Sequence, residues 1–166
     1  IYSFIHMKMR PLKGLQEKTP TNVIVKDPIN ITEIKVPIKW FIEKIENRNL
    51  LLCRIENSNT WQPDKMSRFI ELIYLNIPID HIYLTERKGR DYDIMSGSHM
   101  IRTMYKFYES KFFLTKLEHV HGLSGLAYFQ LGDNLRNKFL DYKINMKLFR
   151  GNEKMAAFIM RKKFVI

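Results

Sequence analysis

The sequence predicts an α+β fold, and three observations carry that prediction. Short β-branched or alternating runs occur near the start, middle and end of the chain, at Val23–Val25, Ile29–Ile34, His81–Glu86 and Tyr142–Phe149, which is the pattern of strands. Between them, apolar residues recur at i, i+3, i+4 and i+7, the period of a helix packed on one face. The 166 residues are the size of one domain, so these elements share one core.

Residues 1–22 hold Pro11, Gly14 and Pro20 with little periodicity and read as an extended basic arm. Residues 23–166 read as a single domain, and the start at Ile1 suggests a piece of a longer chain. From Asn22 to Val36, Pro28 and Pro37 interrupt the strand runs. Ile38, Phe41, Ile42 and Ile45 form the apolar face of a helix ending near Asn47. Leu50–Cys53 reads as a short buried strand, and Glu56–Thr60 as a polar loop. Pro63 and Asp64 open a second helix whose buried stripe is Met66, Phe69, Ile70, Ile73 and Tyr74. His81–Glu86 and Tyr92–Met95 flank the turn Arg87–Arg90 as a hairpin. Ser96-Gly97-Ser98 turns the chain into a helix from His99 to Tyr108. Phe112–Leu117 is expected as a strand, and His119–Tyr128 as a loop or short strand. Asp133 is expected to cap a short helix reaching Phe139. Tyr142, Ile144, Met146 and Leu148 share one strand face, and a last helix is expected from Glu153.

The single cysteine, Cys53, excludes a disulfide within the chain and points to an intracellular setting. No apolar run is long enough for a transmembrane span. The net charge of +11 is unevenly placed. Residues 1–26 sum to +4, residues 136–163 to +7, and residues 27–135 to zero. Basic ends around a neutral body suit contact with nucleic acid or another polyanion. A solvated surface in a lysine-rich chain is the plain alternative.

The layout resembles a known family. Ile70-Glu71 leads into Leu75-Asn76-Ile77-Pro78-Ile79-Asp80-His81-Ile82-Tyr83-Leu84, then a glycine turn, then a helix with Thr103 and Phe107. Leu123-Ser124-Gly125, Phe129, Leu131, the run Leu135–Tyr142 and Ile144 extend the likeness. Together they resemble the ParB/sulfiredoxin-like N-terminal domain of GmrSD-type type IV restriction endonucleases, over about residues 36–160. That resemblance implies a small mixed sheet with packed helices, nucleotide hydrolysis and a DNA-cutting partner domain.

The polar positions of that family depart here. Its Asp-Gly-Gln-Gln-Arg motif falls on Ser96-Gly97-Ser98-His99-Met100, where only Gly97 remains. Glu56 and Asn57 stand where the family has a Gln-Arg pair before a tryptophan, here Trp61. Ile159-Met160-Arg161-Lys162-Lys163 keeps an arginine but lacks the asparagine of the family's third motif. Serine and methionine supply neither the carboxylate that orients a metal or water nor the rigid donor fork of arginine. The resemblance therefore implies a catalytically degenerate domain with no catalytic residue, no metal and no cofactor.

What remains is a candidate anion site at Ser96, Gly97, Ser98, His99 and Arg102, where helix N–H groups would meet the ligand. The competing reading is a capping turn, with Ser98 as the cap. The candidate nucleic-acid contacts are Lys8, Arg10, Lys13, Arg161, Lys162 and Lys163. His119-Val120-His121 reads as a polar loop rather than a metal site, and Asp91 with Asp93 as a solvated hairpin. Trp40 and Trp61 read as packing residues, with base stacking as the alternative.

Three functions stay open at this stage. One is a binding module for nucleic acid or a protein partner, with no small-molecule substrate identified. Another is a structural component of a large assembly, such as a minor protein of a large DNA virus particle, placed in the virion. The third is a divergent nucleotidase or nuclease.

Overall fold

The computed structural model describes residues 30–51, 61–87 and 91–151. The arm at 1–22, the Val23–Val25 run, Cys53, the Glu56–Thr60 loop and the helix expected from Glu153 lie outside the described residues. So do the candidate contacts Lys8, Arg10, Lys13, Arg161, Lys162 and Lys163. The elements run β1 (Asn30–Pro37), α1 (Ile38–Glu46), α2 (Pro63–Tyr74), β2 (Ile82–Glu86), β3 (Tyr92–Ser96), α3 (Ser98–Tyr108), α4 (Asp133–Asp141) and β4 (Lys143–Arg150). Two short 3-10 turns, His121–Leu123 and Tyr128–Gln130, lie between α3 and α4.

The four strands form one mixed sheet in the order β1-β4-β2-β3. β4 runs antiparallel to β1 and parallel to β2, while β2 and β3 form an antiparallel hairpin. Alternation in β4 explains its central place. Ile144, Met146 and Leu148 point into the core beside Ile82 and Leu84 of β2. Tyr83 and Thr85 are buried as well, so β2 loses water on both faces and reads as a continuous run. Pro37 is tolerated because β1 is an edge strand, where a missing N–H breaks no ladder bond. It passes directly into α1, whose first N–H, from Ile38, donates to the Tyr142 carbonyl at 3.0 Å.

The helices contribute to one core together with the inner face of the sheet. Phe41, Ile70, Ile73, Ile101, Met104, Phe107 and Phe139 all fall below 2% exposure there. Phe107 meets Phe139 edge-on at 5.3 Å and Tyr128 at 5.7 Å, a geometry favoured by ring quadrupoles.

Three helices end in the same way. After α1, α2 and α3, the residues Arg48, Asn76 and Ser110 take left-handed φ of 60, 57 and 58°. Each closes a Schellman motif, for example with Asn76 N–H on Ile73 and Ile77 N–H on Leu72. None of these positions is glycine.

Three expectations are corrected. Phe112–Leu117 is not a strand. Leu114 exchanges backbone bonds with Leu126 and Gly125, and Thr115 and Lys116 are held by Ser67 and Asp64 of α2. In the described part of Leu50–Cys53, Leu50 makes an isolated bridge to Tyr92 rather than a strand, and Leu51 is 39% exposed. Asp133 is the first residue of α4, not its cap. Gly132 holds the cap position, and Asp133 pairs with Arg136 at 2.6 Å.

Candidate functional site

α3 begins where β3 ends, and one glycine makes that junction possible. Gly97 occupies the cap position with φ 90°, a conformation that L side chains rarely adopt. A Cβ there would sit 2.9 Å from Cγ1 of Ile82 and 3.1 Å from Cε of Met100. Both the dihedral and the space therefore require glycine. The capping role expected of Ser98 is corrected: Ser98 is the first helical residue, and no side chain caps the helix from Gly97.

The half-buried side chain of His99 in the first turn lies flat against Trp61, with ring centroids 5.7 Å apart and planes 12° apart. Trp61 also meets Phe69 edge-on at 5.5 Å, and the Lys65 ammonium stands 4.7 Å from its ring. The tryptophan is thus packed between a histidine and a lysine at the entrance of α3. Ser96, Gly97, Ser98 and Arg102 are all partly accessible there. The structure brings together Trp61 and the Gly97 turn, which are 36 residues apart in sequence. Lys65 was not foreseen. Its place one turn into α2, beside the tryptophan that precedes Pro63, is the signal that would have found it.

A second constellation was missed altogether. On α2, Asp64, Ser67 and Glu71 lie at i, i+3 and i+7 and bind the segment after α3. Thr115 N–H donates to Ser67 Oγ at 3.0 Å, and the Lys116 ammonium meets Asp64 at 2.6 Å. Glu71, only 5% exposed, accepts the successive N–H groups of His119 at 2.6 Å, Val120 at 3.0 Å and Glu118 at 3.2 Å. This is a backbone nest filled by the protein's own carboxylate. Burial pushes the Glu71 carboxyl up, but the N–H groups of His119, Val120 and Glu118 outweigh it, so the group lies below its ordinary value. Glu71 is therefore a clamp on the loop at 118–120.

The remaining candidates have ordinary partners. Asp93 pairs with Arg87, and Asp91 accepts from the Asn49 amide at 2.9 Å. His119 and His121 are exposed on the loop that Glu71 holds. Trp40 packs edge-on against Phe41 and Tyr92. No group of three or more metal-ligating side chains occurs among the described residues. No helix among them is long and apolar enough to cross a membrane. No protein-family model, curated protein or solved structure matches the chain.

Proposed function

We propose that this chain is a catalytically degenerate ParB/sulfiredoxin-like domain, resembling that of GmrSD-type restriction endonucleases, and that it serves as a nucleic-acid-binding module. One observation carries the binding reading: the whole excess charge of +11 lies in residues 1–26 and 136–163, around a body that nets zero. Phosphate neutralisation by lysine and arginine supplies most non-specific affinity for nucleic acid. The four-stranded mixed sheet with helices is compatible with the family likeness. The stacking of His99 on Trp61 supports it further, because the likeness groups those two motifs in one site.

The degenerate reading follows from what stands at that entrance. Ser98, His99 and Met100 offer no carboxylate. The first N–H groups of α3 have no intrahelical partner and remain suited to an anion. Lys65 and His99 add donors beside it.

The test is binding of labelled single-stranded and duplex 20-mers at low salt, with nucleoside triphosphate turnover measured on the same preparation. Saturable binding without turnover is expected. Flat binding curves would sink the nucleic-acid reading. Turnover abolished by His99→Ala or Arg102→Ala would replace it with an enzyme.

A further inference from the structure

The corner between α2 and β2 and the adjoining end of the β1–β4 ladder flank an open cleft of about 400 Å³, lined by Lys35, Asn76, Asp141, Tyr142, Lys143 and Asn145. The strand register decides what it presents. Lys35 lies opposite Asn145, and Lys143 lies opposite Pro37. Residues 35, 143 and 145 therefore share one face of the sheet, with the two lysines as diagonal neighbours. Neither Lys35 nor Lys143 has a carboxylate partner among the described residues. Lys147, on the same face, is engaged by Glu33 at 3.7 Å.

The cleft contains one carboxylate, Asp141, and the Lys39 ammonium holds it at 2.9 Å. Two ammonium groups are thus left without local compensation, which excludes a cation as the natural occupant.

The walls are fixed before any ligand arrives. Tyr142 O–H donates to the Ile77 carbonyl at 2.6 Å and ties the ladder to the α2–β2 corner. Asn76 is locked in its left-handed conformation by the bond of its N–H to Ile73 at 3.0 Å. The Asn76 and Asn145 amides add paired donors and acceptors, which suit phosphate oxygens and a sugar hydroxyl or base edge together. The volume lies within the range of about 300–1,000 Å³ usual for small-molecule pockets.

We propose that this cleft binds a phosphate-bearing ligand, either a mononucleotide or a single phosphate of a nucleic-acid strand. Lys35 and Lys143 take the phosphate, and the two asparagines take the group attached to it. The site uses none of Lys8, Arg10, Lys13, Arg161, Lys162 and Lys163, although its Lys143 falls within the basic stretch 136–163.

The experiment is amide chemical-shift titration of the full chain with AMP, inorganic phosphate and a ten-nucleotide single strand. It is run on the wild type and on the Lys35→Gln/Lys143→Gln variant. Both positions are exposed, so the variant keeps the core intact. Saturable shifts at Lys35, Asn76, Lys143 and Asn145, with affinity at least tenfold weaker in the variant, are expected. Saturation by AMP identifies a free nucleotide, and saturation by the strand alone identifies a strand phosphate. Shifts that bypass these four residues, or equal affinity in the variant, would overturn the proposal. Strand binding that persists in the variant and shifts other residues would leave the basic ends as contacts while removing the cleft.

Discussion

Glu71 shows how a single side chain can decide the course of a loop. Its carboxylate gathers the three consecutive N–H groups of Glu118, His119 and Val120, just after the 112–117 segment. Replacement by glutamine keeps one acceptor oxygen and loses the charge, at a cost of about 1–3 kcal/mol. Because the folded carboxyl lies below its ordinary value, the charge contributes fully above the unfolded glutamate pKa of about 4.3 and is lost as pH falls through the folded value. Urea unfolding of wild type and Glu71→Gln should therefore show a deficit at pH 7 that shrinks below about pH 4. A deficit constant with pH would assign the effect to packing. At Gly97, alanine meets both a forbidden dihedral and Ile82, so Gly97→Ala should cost about 2–4 kcal/mol by thermal or urea unfolding. Gly97 stood out in the sequence as a turn residue, though its clash with Ile82 did not. Glu71 was visible there only as part of a resemblance, since its partners lie 47 to 49 residues away.

The elements with a strong period were the legible ones. The stripe Met66, Phe69, Ile70, Ile73 and Tyr74 is buried as the sequence predicts, and so is the face Ile144, Met146 and Leu148 of β4. Such residues announce themselves because one face of the element must leave water. The failures fall where backbone groups are satisfied by side chains. Phe112–Leu117 has the apolar content of a strand, yet Thr115 and Lys116 find their partners on α2, and no local pattern reveals that. Ser98 and Asp133 looked like caps, but the residue before each is a glycine that holds the cap position. The helix ends were illegible for a related reason: Arg48 and Ser110 sit in left-handed conformations without glycine to mark them. Glycine removes the side-chain penalty there, so Arg48→Gly should stabilise by about 0.5–1 kcal/mol, whereas Ser110→Gly also loses the bond from the Phe129 N–H to Ser110 Oγ and should gain nothing. The corresponding rise in Tm is about 1–4 °C for a domain of this size. A loss of stability from Arg48→Gly would mean that its side chain contributes more than the conformation costs.

At the scale of the whole molecule, the strand content was readable but the sheet order was not. β4 pairs in parallel with β2 across some sixty residues, and periodicity carries no information about such distant pairing. Residues 27–135, which hold β1 to β3 and α1 to α3, net zero, and many carboxylates of the fold already hold a cation, as in Asp64 with Lys116, Asp141 with Lys39 and Glu118 with Arg68. The unbalanced charge belongs to residues 1–26 and 136–163, and the second of these includes Lys143 of the cleft. Binding of a labelled duplex as a function of salt tests that division most directly, with wild type compared against a variant carrying glutamine at Lys8, Arg10, Lys13, Arg161, Lys162 and Lys163. Affinity in the wild type should fall steeply with salt, and the variant should lose about 0.9 of logarithmic slope for each phosphate contact removed. A variant that keeps both the affinity and the slope of the wild type would contradict a nucleic-acid module that binds through its ends.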